Sequence, residues 1–200
     1  MPEAGQTSES QNAARKLRVV MAQLDFLVGD IPGNTDLILE ATQRAWAELQ
    51  ADIVVFPELC LTGYPPEDLL LRPSLDLRVR EALEKLQSAA LPPAMVIGAP
   101  IRSGGLLYNA ALVIEAGQIR GRYFKRFPPN YQVFDEKRYF AEGSDTLVLD
   151  IKGQPVGITV CEDLWKDGPV EDAAAAGARL ILNLNASPYD IDKQARRKAL

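Results

Sequence analysis

The sequence predicts an α/β layered protein that contains a mixed β-sheet. In the first half of the chain, short apolar runs typical of buried strands alternate with amphipathic segments typical of helices. In the middle, apolar runs joined by tight turns indicate β-hairpins. A strand–helix–strand pattern returns near the end. The 200 residues suffice for one domain with a sizeable core.

The first half of the chain predicts three strands and two helices. The strands are the apolar runs at 17–25, 51–59 and 94–101. The helices, with apolar residues near helical spacing, cover 35–50 and 74–90. Asn34 directly precedes the first helix and is a candidate for its N-cap.

The second half predicts two hairpins, one turning at Ala116-Gly117 and the other at Lys152-Gly153. A long loop at 126–145 separates them. The remaining segments are a helix at 168–178, a strand at 179–187 and the start of a helix at 192. This last helical pattern stops at Leu200, so we expect the domain to be incomplete at its C-terminus.

The composition is typical of a globular protein, with 47% apolar and 24% charged residues. A net charge of −5 argues against a surface for nucleic acid or for an anionic membrane. No apolar run approaches the ~20 residues of a membrane-spanning helix. Residues 1–16 are polar, lack a signal-peptide pattern and predict a disordered tail before a domain at 17–200. We therefore expect a cytoplasmic protein.

The chain contains no histidine. This excludes Ser-His-Asp and Cys-His catalysis by groups of this chain. The two cysteines, Cys60 and Cys161, do not make a disulfide scaffold. A zinc site would need both thiols and carboxylates at a spacing that the sequence does not show, so no metal site is predicted.

Three chemically reactive side chains, Glu58, Lys125 and Cys161, each lie at the C-terminal end of a predicted strand. Taken singly, the glutamate is better explained as a solvated rim residue, the lysine as a surface charge and the cysteine as structural. However, sites in layered α/β proteins gather outside these strand ends. A carboxylate can take the proton of a thiol, and an ammonium group can stabilise an oxyanion. The set therefore suffices for acyl transfer without histidine.

The loop at 126–145 carries five aromatic residues interleaved with charges. Loops of this length inside a compact domain are usually functional or disordered, and the aromatic density argues against disorder. A loop that only packs over the sheet is the alternative. The pattern favours a functional loop.

Four segments carry a resemblance to a known family: "FPELCLTGYPPEDLL", "PNYQVFDEKRYFAEG", "GITVCEDLW" and "NLNASPYDIDK". Together with Lys125 they resemble the nitrilase, or carbon–nitrogen hydrolase, superfamily, and especially the N-terminal glutaminase domains of glutamine-dependent NAD synthetases. The resemblance runs from about Leu17 to the end of the chain. It implies a four-layer α-β-β-α sandwich, here C-terminally truncated.

The resemblance implies a role for each reactive residue. Cys161 is the nucleophile and forms a γ-glutamyl thioester. Glu58 is the general base, first for the thiol and then for the hydrolytic water. Lys125 and the backbone N–H of Glu162 stabilise the tetrahedral oxyanion. Asp163 is left to local turn structure.

Five further residues match the substrate-binding positions of the family. Tyr131 and Phe134 wall the glutamine pocket. Glu136 supports the lysine or holds the amino group of the substrate. Ser187 and Lys193 match the region that binds the substrate's polar end.

The implied activity is the hydrolysis of L-glutamine to glutamate and ammonia, with no cofactor. In the family, the ammonia passes to a synthetase domain in the same or an associated chain. That domain amidates nicotinic acid adenine dinucleotide with ATP and Mg²⁺, and nothing in these 200 residues corresponds to it. The resemblance also implies a homo-oligomer when the protein is complete.

Three departures from the family pattern bear on these assignments. Pro128-Pro129 stands where Leu-Pro is frequent and stiffens the chain after Lys125. Asp192 stands where glycine is common, which puts the assignment of the substrate's polar end in doubt. Cys60 replaces a small residue and is explained as a buried filler.

Three alternatives stay open. The first is a stand-alone amidase or nitrilase that acts on another small amide, although "PNYQVFDEKRYF" favours the synthetase-linked group. The second is an inactive fragment that acts as an interaction module. The third is a thiol redox protein that uses Cys60 and Cys161, which would lack a Cys-x-x-Cys motif.

Overall fold

A computed structural model describes residues 16–189 and 191–198 of the chain. The predicted disordered tail at 1–16 lies outside these residues except for Lys16. The described strands are β1 (Val19–Met21), β2 (Ile53–Val55), β3 (Ala94–Ser103), β4 (Leu106–Glu115), β5 (Gln118–Phe124), β6 (Leu147–Ile151), β7 (Gln154–Val160) and β8 (Leu180–Leu184). The described α-helices are α1 (Ile31–Leu49), α2 (Pro73–Ser88), α3 (Pro169–Ala175) and α4 (Lys193–Arg197). Short 3₁₀ helices occupy Glu67–Leu71, Glu136–Arg138 and Cys161–Trp165.

The strands form two sheets, and both are mixed. The five-stranded sheet has the order β1-β2-β3-β4-β5, with β1, β2 and β3 parallel and the β3–β4 and β4–β5 pairs antiparallel. The three-stranded sheet has the order β6-β7-β8, with an antiparallel pair followed by a parallel one. The prediction of an α/β fold with mixed pairing is confirmed.

Two hydrophobic cores define the layers of the fold. One core packs α1 and α2 against the outer face of the five-stranded sheet, and the other fills the space between the two sheets. Neighbouring residues of one strand supply both, since Ile97 belongs to the first core and Val96 to the second. On the far side, α3 packs on β7, where a Cβ atom at Gly157 would meet Ala173 and Ile181 side-chain atoms at 3.1 and 2.7 Å. The predicted α-β-β-α order of layers is confirmed.

Both predicted hairpin turns are present. Ala116-Gly117 joins β4 to β5, and Lys152-Gly153 joins β6 to β7. All four residues have positive φ. This backbone conformation matches the right-handed twist of paired strands and explains the glycine in the second position of each turn.

The start of the first helix differs from the prediction. The helix α1 begins at Ile31, and the side chain of Asp30 caps it by accepting a hydrogen bond from the Gly33 N–H. Asn34 lies inside the helix, where its buried side chain bonds both the N–H and the carbonyl of Leu27. The N-cap prediction for Asn34 is wrong because "GDIPG" already supplies a cap and a proline at the first turn, where proline is well tolerated.

The first two strands are shorter than their apolar runs. The run at 17–25 contributes only β1, and the run at 51–59 contributes only β2. After β2 the chain turns, and the residues from Phe56 to Leu61 other than Pro57 stay buried, with the N–H groups of Phe56 and Leu61 bonded to carbonyls of β3. The apolar run therefore continues beyond the strand because the following turn is itself part of the core. No helix among the described residues is long and apolar enough to cross a membrane.

Candidate active site

Three strand ends converge on one buried site. Glu58 follows β2, Lys125 follows β5 and Cys161 follows β7. Strands β2 and β5 run in the same direction, because β2 is parallel to β3 and two antiparallel pairings separate β3 from β5. The side chains meet in the interior, as the position of sites in layered α/β folds leads one to expect.

A buried lysine joins two buried carboxylates at this site. The Lys125 Nζ atom lies 2.6 Å from Glu58 Oε1 and 2.9 Å from Glu136 Oε2. Lys125 is 0% exposed, Glu58 1% and Glu136 5%. The explanation of Glu58 as a solvated rim residue and of Lys125 as a surface charge is therefore wrong. The charges are instead compensated within the protein.

Asn109 of β4 holds the two carboxylates together. Its Nδ2 donates to Glu58 Oε1 at 2.8 Å and to Glu136 Oε2 at 3.2 Å. The backbone carbonyl of the same residue accepts the Lys125 N–H at 2.8 Å. The sequence analysis missed this residue, although a single amide inside the apolar strand "LLYNAALVI" was a usable signal.

The second oxygen of Glu58 connects to the loop after β8. Its Oε2 accepts a hydrogen bond of 3.2 Å from the backbone N–H of Ala186. The next residue, Ser187, has its Oγ 3.7 Å from the Cys161 Sγ. The loop after β8 therefore contacts both Glu58 and Cys161.

Cys161 opens the short 3₁₀ helix after β7 and has a φ of 47°. Non-glycine residues rarely adopt this left-handed conformation, and such strain is typical of functional sites. The residue is 5% exposed. Burial raises the pKa of the Cys161 thiol to about 12, the charge of Glu58 adds to the rise, and the charge of Lys125 opposes it. The resting side chain is therefore a neutral thiol at neutral pH.

The two carboxylates beside Lys125 favour its charged form. Burial alone would lower the pKa of Lys125, but Glu58 and Glu136 outweigh it, and the pKa lies above its ordinary value. Burial and the charge of Glu58 raise the pKa of Glu136, against the opposing charge of Lys125. The lysine is therefore a permanent cation beside the thiol.

A cavity of about 270 Å³ opens at Cys161. Five of the residues that were predicted around the substrate or the oxyanion line it: Tyr131, Phe134, Glu162, Ser187 and Lys193. Trp165 and Arg196 line it too and were not predicted. The long loop and α4 thus meet over the thiol, and two cations stand at the cavity wall.

Glu136 does not line this cavity. Besides Lys125, its carboxylate accepts a hydrogen bond of 3.1 Å from the Tyr64 hydroxyl, and it faces a second cavity on the other side of Phe134. Of the two roles considered for Glu136, the geometry favours support of the lysine over contact with the substrate.

Glu162 contributes a side chain as well as the predicted backbone N–H. Its Oε2 accepts a hydrogen bond of 2.7 Å from the Tyr131 hydroxyl. The Tyr131 ring meets the Phe134 ring edge-on, with centroids 5.6 Å apart. The aromatic wall of the cavity is therefore tied to the residue next to the thiol.

Asp163 is fully buried and has a wider role than the local turn to which the sequence analysis assigned it. The carboxylate accepts hydrogen bonds from the N–H of nearby Val160 and from three donor groups of the chain around Lys125. The partners around Lys125 lie 36 to 40 residues from Asp163, so these contacts could not be inferred from the spacing.

The arrangement provides the parts for acyl transfer: a thiol, an adjacent carboxylate and a fixed cation. Among the described residues, no group of three histidine, cysteine, aspartate or glutamate side chains is placed to hold a metal ion. Fold and site together define an α-β-β-α sandwich hydrolase with a cysteine at its centre.

The sequence profile of the carbon-nitrogen hydrolase family matches residues 18–199, and the chain belongs to this family. It is 47% identical to a glutamine-dependent NAD(+) synthetase from Xanthomonas campestris over 194 residues, which cover 96% of the chain and 35% of the relative. A second such synthetase, from Aquifex aeolicus, is 40% identical over 186 residues, 92% of the chain and 32% of the relative. The chain thus spans about a third of the length of these relatives.

Solved structures agree with the sequence comparison. A glutamine-dependent NAD+ synthetase from Acinetobacter baumannii superimposes with a TM-score of 0.87 at 39% identity, over 91% of this chain and 34% of that one. An amidase from Nesterenkonia sp. gives a TM-score of 0.80 at 28% identity, over 89% of this chain and 68% of that one. In one mutant of the Nesterenkonia amidase, acrylamide has added to the active-site cysteine.

Proposed function

We propose that this chain is the glutaminase part of a glutamine-dependent NAD synthetase and hydrolyses L-glutamine to glutamate and ammonia. The observation that carries the proposal is the buried Glu58–Lys125 pair beside Cys161, a thiol that lines the same cavity as Lys193. The names of the relatives support the choice of glutamine over other amides.

In the first step, the Cys161 sulfur attacks the side-chain amide carbon of glutamine. The thiol is neutral at rest, so its proton must leave as the carbon–sulfur bond forms. Glu58 accepts this proton and passes it to the departing nitrogen, which leaves as ammonia. The product is a γ-glutamyl thioester, and the carboxylate is again ionised.

In the second step, a water molecule attacks the thioester carbon. Glu58 takes a proton from this water and returns it to the sulfur, which releases glutamate and restores the thiol. In both steps negative charge develops on the carbonyl oxygen. Lys125 and the N–H of Glu162 stabilise it, because fixed donors in a dry site lower the barrier more than water does.

Glutamine differs from simple amides in its α-carboxylate and α-amino group. Lys193 and Arg196 supply positive charge at the cavity wall, and Ser187 supplies a hydroxyl. A carboxylate is well recognised by such groups. The proposed specificity therefore depends on α4 and the loop before it, while the chemistry depends on the strand ends.

The remainder of the proposal concerns the whole protein. The ammonia passes to a synthetase domain, which uses ATP and Mg²⁺ to amidate nicotinic acid adenine dinucleotide in the cytoplasm, in a homo-oligomer. The glutaminase half-reaction needs no cofactor. The support for this coupling is that relatives named as NAD synthetases contain a segment like this chain in about a third of their length.

The test measures ammonia release by the intact protein from L-glutamine and from propionamide, which has the amide but no α-carboxylate. We expect glutamine to be preferred and Cys161→Ala to abolish release from both. The thioester is sought as a mass increase on the peptide that contains Cys161 after acid quenching. No release from glutamine, with a folded protein, would contradict the proposal.

A stand-alone amidase is the second candidate, because the Nesterenkonia amidase shares the fold over 89% of this chain. Lys193→Ala separates the two. In a glutaminase it raises KM for glutamine about tenfold or more and leaves propionamide unaffected, since only glutamine offers the charge that lysine pairs with. Equal kinetics of Lys193→Ala and wild type on both substrates favour the amidase.

A further inference from the structure

We propose that Asp163 is a positioning residue for the reaction at Cys161, because its single buried carboxylate joins the turn that carries the thiol to the strand end that carries Lys125. The inference rests on the proposed function, in which these two residues act together. Asp163 itself does not line the cavity at Cys161. Its effect on the chemistry therefore passes through the residues it holds.

On the lysine side, the carboxylate binds the chain before and after Lys125. Its Oδ1 accepts from the backbone N–H groups of Arg126 and Phe127 at 3.1 and 2.9 Å. Its Oδ2 accepts from the Tyr123 hydroxyl at 2.8 Å. Lys125 thus lies within a segment that is fixed at both ends by one side chain.

On the cysteine side, the carboxylate reaches back along its own turn. Its Oδ2 accepts from the Val160 N–H at 3.3 Å, directly before Cys161. An acidic side chain that bonds back to the N–H three residues earlier is a known device for fixing the start of a helix. The strained φ of 47° at Cys161 needs such support, because surrounding contacts must hold a conformation of this kind.

The burial of Asp163 strengthens its connection between the Lys125 and Cys161 segments. The side chain is 0% exposed, and the bonds above supply four donors to two oxygen atoms. Hydrogen bonds to a charged acceptor are shorter and stronger than neutral ones. Displacement of either partner segment would leave a buried charge short of donors, which costs more than the loss of a surface bond.

The kinetic test compares Asp163→Asn with Asp52→Asn in the intact protein. Asp52 is a matched control, since it is a nearly buried carboxylate that accepts from the Arg18 N–H and from Lys152 at the opposite end of the strands. Asp163→Asn keeps the shape of the side chain but replaces one acceptor oxygen by a donor. We expect kcat to fall about 100-fold with KM nearly unchanged, the effect of misplacing reacting groups by about 1 Å. Asp52→Asn should leave kcat unchanged.

A second readout separates positioning from loosening of the fold. The rate of alkylation by iodoacetamide is measured at Cys161 and at the buried Cys60 by peptide mass spectrometry. Loss of positioning moves Lys125 away from the thiol, so we expect Cys161 to react about tenfold more slowly while Cys60 is unchanged. A merely structural role predicts faster alkylation of both cysteines, because a loosened fold exposes them.

Tyr123→Phe keeps the test decisive if Asp163→Asn fails to fold. It removes one donor from the carboxylate and leaves every backbone bond in place. We expect a smaller loss of kcat, about fivefold, with the same slowing at Cys161. Unchanged kcat and alkylation in the folded variants overturns the proposal. The alkylation rates decide it even if no amide proves to be a substrate.

Discussion

The Lys125 ammonium group lies 2.6 Å from the Glu58 carboxylate, and neither side chain is more than 1% exposed. The same ammonium group contacts Glu136 at 2.9 Å. One cation is therefore shared by two carboxylates in the interior of the protein. Such a cluster is expensive to assemble and very sensitive to the loss of one member. Its stability and its chemistry can therefore be separated by mutation.

Lys125→Met should destabilise the protein by about 3–5 kcal/mol, because it leaves two buried carboxylates without their cation. Adding Glu136→Gln should recover part of the free energy of unfolding but none of the ammonia release, since the oxyanion still lacks Lys125. Urea denaturation and the glutamine assay measure the two effects. Lys85→Met is the control, as its exposed pair with Asp36 is worth at most about 1 kcal/mol. Recovery of activity in the double variant would show that Lys125 acts only by neutralising charge.

Cys161→Gly should be more stable than Cys161→Ala by about 1 kcal/mol. Both variants lose the thiol, but only glycine accepts a φ of 47° without strain. Cys60 provides the matched control, because it is also buried and its φ is not positive. There the order should reverse, with alanine the more stable. Equal urea midpoints for the two Cys161 variants would mean that the turn relaxes and stores no strain.

Much of the fold was predictable, because local patterns determine it. Apolar runs identified the strands, and the glycines of Ala116-Gly117 and Lys152-Gly153 located both hairpin turns. The errors arose where tertiary packing overrode a local signal. Asn34 was expected to cap α1, yet it lies within the helix and is used to hold the Leu27 backbone.

The candidate site was predictable only in part. Glu58, Lys125 and Cys161 were found because each lies at the C-terminal end of a predicted strand, and they do converge. Asn109 was missed, since the carboxylates it binds lie 27 and 51 residues away. The role of Asp163 was underrated, since its partners around Lys125 lie 36 to 40 residues away. Single-sequence patterns cannot report which distant segments share one buried amide or carboxylate. Of the two roles considered for Glu136, support of the lysine agrees with the geometry, since Lys125 Nζ donates to both of its carboxylate oxygens.

Asn109→Asp should produce a pH-dependent loss of stability. The new oxygen would face Glu58 and Glu136 where an amide now donates to both, so three carboxylates would share one cation. One of them must keep a proton, which means a pKa raised in the folded state. The variant therefore loses further stability as pH rises from about 5 to about 8, by more than 1 kcal/mol. The measurement is the free energy of unfolding as a function of pH, and parallel curves for variant and wild type would contradict this prediction. Asn130→Asp, the same change at an exposed position, is the control.

Alkaline pH should unfold the protein through its buried thiols. Burial raises the pKa of both Cys60 and Cys161 to about 12, from the ordinary value of 9.0 that they regain on unfolding. Their contribution to stability is therefore complete below pH 9 and is lost as the pH rises towards 12. Each thiol should steepen the fall in the free energy of unfolding by up to about 1.4 kcal/mol per pH unit.

Cys60→Ala tests this, because it removes one of the two ionising thiols without touching the proposed chemistry. Its free energy of unfolding should fall less steeply than that of wild type between about pH 9 and pH 11. Ile38→Val, which removes one methylene from the core and no titrating group, should lower the whole curve without changing its slope. The comparison concerns slopes alone, so the cost of the cavity left by Cys60→Ala does not affect it. An unchanged slope in Cys60→Ala would mean that this thiol ionises as readily in the folded protein as in the unfolded chain.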